Sequence, residues 1–275
     1  MIWGFADYAA AICARRVGAV RTAFAMQSTG LVSFALVMWG LGRWPSFEPG
    51  MLPFAVALGV LGVISVAALY RGLALGPVAV VAPVVASYVV VTVVLVVIFL
   101  GERLTTAQVV AASVVFIGVV LTSTDGRQLR VTLGRPVPGV RIGLIATFGF
   151  GMWSAVFAIA TRQYSWIPMI LLLRATSFVI VGTFIASRRI DLRVFRSRVA
   201  VVLGTIVGVL DTLANAFFAR GIESGYASLA ATGTGMYPIV PALLGMLALG
   251  ERLAPNQLVG IVVLVIGLAT LGTVS

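Results

Sequence analysis

The chain has no histidine and no lysine, one cysteine, and only eight acidic residues among 275. Without histidine there is no Ser-His-Asp catalysis, no histidine-ligated metal and no histidine proton relay. Cys13 alone cannot form an intrachain disulfide or a cysteine metal cluster. No glycine-rich Walker loop is present, so ATP does not drive this protein. The sequence therefore predicts neither a metal nor a cofactor, and no enzyme. Charge is scarce as well. Only 10% of residues are charged, against about a quarter in a soluble domain.

Hydrophobic residues make up 61% of the chain. They fall in runs of about the ~20 residues that a helix needs to cross a bilayer. The runs cover about 1–14, 23–41, 51–70, 77–100, 105–124, 141–161, 166–187, 199–219, 226–249 and 255–274. The expected fold is an all-α polytopic membrane protein of about ten transmembrane helices, with no room for a separate soluble domain. The net charge of +11 comes from 19 arginines lying mostly between runs. There they face anionic lipid headgroups, so the bilayer rather than nucleic acid is the expected partner. The first run is short for a crossing. Trp3 has two residues before it, whereas Trp153 has roughly a dozen in its own run, so the expectation is that this helix starts at depth or that residues precede Met1.

The chain repeats itself. Arg71–Leu121 and Arg220–Thr270 align without a gap, offset by 149, with 17 identities in 51 positions. The informative matches are Arg71/Arg220, Gly72/Gly221, Gly76/Gly225, Tyr88/Tyr237, Gly-Glu-Arg-Leu at 101–104 and 250–253, and Gln108/Gln257. Charges, a tyrosine and glycines at fixed offsets indicate duplication. The halves are 1–124 and 141–275, joined by the arginine- and proline-bearing linker 125–140. Five crossings per half is an odd number, so the two repeats insert with opposite orientation. Such inverted repeats place a substrate site between them, near the midplane.

A glycine-rich entry, a long helix, a Glu-Arg-Leu turn with a following glutamine, and a final helix, once per half, resemble the EamA-type family of the drug/metabolite transporter superfamily. Trp3-Gly4 in the first helix, Asp211 in the eighth and Tyr237-Pro238 in the ninth fit the same pattern. The resemblance implies a multi-pass secondary transporter of the bacterial inner (plasma) membrane, working as monomer or homodimer. It implies export of small polar metabolites such as amino acids, with proton coupling as a further expectation. Channels and lipid-carrier flippases of the superfamily are the alternative, and a membrane-embedded enzyme is the rival from another class. The first half departs from the pattern, because Gly62 aligns with Asp211 and Tyr88 is followed by Val89.

Orientation receives two opposed indications. Odd-numbered loops hold 14 arginines and even-numbered loops hold 4, namely Arg43, Arg103, Arg162 and Arg220. The positive-inside rule then places the odd loops in the cytoplasm and both termini outside. The resemblance implies both termini inside.

Ionisable groups at membrane depth are costly and mark function. Asp7, Arg174 and Asp211 lie within apolar runs. Asp211 and Asn215, four residues apart, share a helix face and suit a substrate ammonium or a coupling proton. The rival role for Asp211 is a helix–helix hydrogen bond. Asp7 is read as either a cavity group or a group near the membrane surface. Arg174 is read as snorkelling to the surface, with an anionic-substrate contact as the alternative. Tyr88 and Tyr237 offer hydroxyls, and Trp3 and Trp153 line the cavity or anchor at the interface. Gly233, Gly235, Pro238 and Pro241 predict a broken ninth helix. Glu102, Arg103, Glu251 and Arg252 are assigned to structural turns or a gate.

Overall fold

The computed structural model describes residues 2–42, 44–100, 105–123, 137–223 and 239–274. All regular structure among them is helical: α1 (Ile2–Val17), α2 (Ala19–Gly40), α3 (Met51–Leu75), α4 (Val78–Ala86), α5 (Tyr88–Leu100), α6 (Thr106–Ser123), α7 (Val140–Gln163), α8 (Trp166–Ser187), α9 (Arg198–Glu223), α10 (Ile239–Ala248) and α11 (Pro255–Val274), with a 3-10 turn at Arg193–Arg196. Five of them, α2, α3, α7, α8 and α9, are long and apolar enough to cross a membrane alone, and shorter apolar helices accompany them. Large side chains such as Trp39, Phe116, Phe148 and Leu247 stand outward. That is the expected surface where lipid rather than water is the solvent.

Helix packing follows the repeat. α3 lies against α7 and α8, and α9 lies against α1 and α2, which are the equivalent pairs with the halves exchanged. α4 packs on α7 as α10 packs on α1, while α2 meets α8, α4 meets α10 and α6 meets α11 across the centre. The α6–α11 contact shows the relation in atoms. A Cβ on Gly118 would lie 2.5 Å from the Leu264 amide nitrogen, and one on Gly267 would lie 2.8 Å from that of Val115. Gly118 and Gly267 are repeat equivalents, as are Val115 and Leu264, each pair offset by 149. Each glycine thus receives the partner's backbone in the same way. Such reciprocal contact is the mark of a two-fold relation, and small residues at the seam let the helices approach.

The fourth crossing differs from the single helix expected over 77–100. It breaks at Ser87, between α4 and α5. Pro83 lies inside α4 and removes one backbone donor. The Val84 carbonyl is satisfied by the Ser87 amide at 3.2 Å and by the hydroxyls of Ser87 at 2.6 Å and Thr147 at 3.2 Å. Irregular backbone at membrane depth requires such partners.

The 1–2, 3–4, 7–8 and 9–10 loops gather at one end, as the crossing count requires. Arg21 after α1 donates from Nε to the Asp191 carbonyl in the α8–α9 connection at 2.7 Å. Arg15 near the end of α1 reaches Leu73 and Gly76 at the end of α3, and Glu251 in the α10–α11 turn. Gly250, at φ 66°, takes the left-handed conformation that lets this turn reverse. This is the arginine-rich end of the molecule.

Candidate functional site

A cavity of about 860 Å³ of empty space, part of it open to the outside, lies between the halves. Its walls obey the repeat. Trp3 and Trp153, Met26 and Leu173, Gln27 and Arg174, Gly62 and Asp211, Val66 and Asn215, and Leu69 and Phe218 all line it. Each pair occupies equivalent positions, offset by 147 to 150 residues according to the lengths of the preceding loops. The backbone frame is symmetric and the chemistry is not. The second half supplies Arg174, Asp211 and Asn215, where the first supplies Gln27, Gly62 and Val66.

Arg174 is the centre of the polar wall. It does not snorkel. It is 3% exposed, because α8 packs on α2 and α3 and the guanidinium turns to Gln27 on α2 and Asp211 on α9 rather than toward a headgroup layer. Its Nη2 donates to Asp211 Oδ2 in a close ion pair, and Nη1 donates to Gln27 Oε1 at 3.0 Å. Asn215 donates from Nδ2 to Asp211 Oδ2 at 3.2 Å and to the Asp211 carbonyl at 2.8 Å. The i, i+4 spacing on α9 places amide and carboxylate on one face, as the sequence predicts. The guanidinium ties α8 to two other helices, α2 and α9, and the Asp211 carboxylate stays 20% exposed toward the cavity.

Asp7 enters the same cavity from α1 and is 8% exposed. It is a cavity group, not a surface one. Among the described residues it forms no hydrogen bond and no ion pair; Arg174 is committed to Asp211. Tyr70 and Tyr88 are within its electrostatic reach. The Tyr70 hydroxyl donates to the Met26 sulfur at 2.9 Å. Tyr88 opens α5 at the helix break and stands 6.0 Å from the Phe150 ring, centroid to centroid. Trp3 packs against Phe218 at 5.5 Å, and Trp153 stacks on Phe157 at 5.0 Å. One wall is therefore aromatic and the other ionic.

Toward the arginine-rich end the α3 lining stops at Tyr70. Leu73, a turn further on, is fully buried. Here Glu251 spans the molecule. Its Oε1 accepts from the Val78 amide at 2.9 Å and from Arg15 Nη2 at 3.2 Å, and its Oε2 accepts from the Ala79 amide at 2.9 Å. A carboxylate on these first amides satisfies orphan donors and complements the positive end of α4. Arg15 donates from Nε to the Leu73 carbonyl at 3.2 Å and from Nη2 to the Gly76 carbonyl at 2.9 Å, so it caps α3 likewise. Glu251 thus pairs with Arg15, and Arg252 beside it is exposed.

Pro241 is the third described residue of α10. Gly233, Gly235, Tyr237, Pro238, Glu102 and Arg103 lie outside the described residues. Sequence reasoning gave Gln27 and Tyr70 no role. Gln27 is recoverable, because aligning the second helices of the two halves places it opposite Arg174. Tyr70 ends an apolar run, and nothing local distinguishes it from an interfacial tyrosine.

Comparison with known proteins agrees with this architecture. A family model described as the EamA-like transporter family matches residues 1–124 and 137–273. A solved crystal structure of a protein with 14% sequence identity superposes with a TM-score of 0.59, over 97% of this chain and 92% of that one, which is a likeness of fold. No curated protein matches this chain.

Proposed function

This chain belongs to the EamA-like transporter family, and from that premise we propose a secondary transporter that exports small polar metabolites bearing an amine, amino acids among them, across the bacterial inner membrane at the expense of a proton gradient. The solute crosses unchanged, through the cavity between the halves. The observation that carries this reading is the ionic wall of Arg174, Asp211 and Asn215, held inside a cavity whose lining positions are paired by the repeat. Charged groups at membrane depth are costly and mark solute or ion paths. A site at the interface of two related halves lets each half rock against the other around it. The arginine bias assigns the end closed by Arg15 and Glu251 to the cytoplasm.

Solute counterflow in ATP-free proteoliposomes tests this. Vesicles preloaded with one unlabelled compound from a panel of amino acids and small metabolites are diluted into a trace of its labelled form. The reading expects at least one class to accumulate, and accumulation to fall at least tenfold in Asp211→Asn. Absence of counterflow across the panel, with folded protein in the vesicles, would contradict it.

A further inference from the structure

Among the described residues, the cavity holds two carboxylates and one guanidinium. Arg174 is spent on Asp211 and Gln27, and Asp211 also receives Asn215. Asp7 is left without a cation among the described residues. The other groups facing it are Tyr70 from α3, Tyr88 from α5, and the Arg174–Asp211 pair from α8 and α9. α4 and α10 carry no ionisable residue, and the one on α2, Arg21, is bonded at the arginine-rich end. A lone buried carboxylate is retained only if it binds a proton or a cation.

We propose that Asp7 is the cation site of this cavity, where a proton and an organic solute of net charge +1 with an apolar, aromatic-sized body displace one another. The proposal rests on the transport reading above and narrows its amine-bearing solutes to those of net positive charge, ahead of zwitterionic amino acids. Charge arithmetic selects the class. With Asp7 ionised the cavity carries −1. A monocation brings it to zero, a zwitterion leaves it at −1, and an anion makes it −2. The rings select the body. Trp3 lies four residues before Asp7 and so on its face of α1, and Tyr88, Phe150 and Trp153 complete an aromatic wall. Aromatic faces attract organic cations and bury apolar groups. The exchange balances: as the cation binds, the proton on the Asp7 carboxyl leaves to the same aqueous side, and on the other side a proton replaces the cation. One positive charge crosses each way, so the cycle is electroneutral. Asp211 remains the partner of Arg174 throughout.

Three probes of similar body and fixed charge test this: trimethylphenylammonium, phenylalanine and benzenesulfonate. Full-length protein is reconstituted in vesicles with an imposed pH gradient and an internal pH dye, with potassium and valinomycin holding the membrane potential at zero. The expected result is that the ammonium compound dissipates the gradient, about one proton per cation taken up, at least tenfold faster than the other two. Changing the clamped potential leaves the rate unchanged. Asp7→Asn, checked for folding by its melting temperature, moves no protons, and Asp7→Glu recovers proton exchange. Preference for phenylalanine over the ammonium compound, or full proton exchange in folded Asp7→Asn, would overturn the assignment. Counterflow of other metabolites with no response to the ammonium compound would overturn it and leave the transport reading standing. Loss of all flux would remove both.

Discussion

Asp211→Asn leaves Arg174 buried with one neutral partner, and the cost follows from the geometry. Removing one member of a buried pair typically costs about 3–5 kcal/mol, because the remaining charge is uncompensated. Here the Gln27 bond persists and Asp211 is 20% exposed, which points to the lower end, about 3 kcal/mol. At roughly 2–4 °C per kcal/mol for a chain near this size, the melting temperature in detergent should fall by about 6–12 °C. Arg174→Met should cost a similar amount by leaving the carboxylate alone. The double variant Arg174→Met, Asp211→Leu removes both charges and should recover most of the loss, since apolar replacement of a buried pair is near neutral. The assay is a thermal shift in one detergent on wild type, Arg174→Met, Asp211→Leu and their double variant, with Asp211→Asn run beside them. A single variant as stable as wild type, or a double variant as unstable as the sum of the two, would refute the claim that these groups compensate each other inside the protein.

Other consequences are directly measurable. Gly118→Leu sets a Cβ 2.5 Å from the backbone of α11 and should cost about 1–3 kcal/mol by overpacking, read as a lower melting temperature. Glu251→Gln removes the charge that caps α4 and holds Arg15, at a cost of about 1–2 kcal/mol. The buried, single Cys13 then serves as the reporter, and its labelling by a small thiol reagent should quicken several-fold as this end loosens. Competition at Asp7 has a definite sign with pH. Protonation removes the negative charge, so trimethylphenylammonium binding should weaken as pH falls, by up to about tenfold per pH unit. In Asp7→Asn that pH dependence should vanish; the quenching of tryptophan fluorescence reads both.

Much of the frame was legible in the sequence because a bilayer limits the choices. Runs of about 20 apolar residues in one chain must be crossings, and the duplicated Gly-Glu-Arg-Leu turns fixed the period. The pairing of Asp211 with Asn215 was legible because both lie on one helix at i, i+4. The partner of Asp211 was not. Arg174 sits a little over two turns into α8, and depth alone makes such an arginine a candidate for snorkelling. Only the packing of α8 on α2 and α3, which brings Asp211 of α9 within reach, shows that its side chain turns inward. The Arg15–Glu251 contact was equally hidden, since it joins residues 236 apart and depends on how α3, α4 and the α10–α11 turn meet. Ser87 broke a run that reads as one apolar helix, and the polar atoms that make the break tolerable come from Thr147 on α7. Interactions within a helix can be read from spacing; interactions between helices require the fold.

The central claim is that solute passes through the cavity between the halves, and Gly62→Phe tests it most directly. Gly62 lines the cavity, with Trp153 Nε1 3.4 Å from the site of its missing Cβ, so a phenyl ring there fills the space a solute would occupy. The measurement is counterflow of whichever compound wild type carries, on protein whose melting temperature lies near the wild-type value. The account predicts that flux falls to the level of protein-free vesicles. Undiminished flux through a folded Gly62→Phe protein would contradict it.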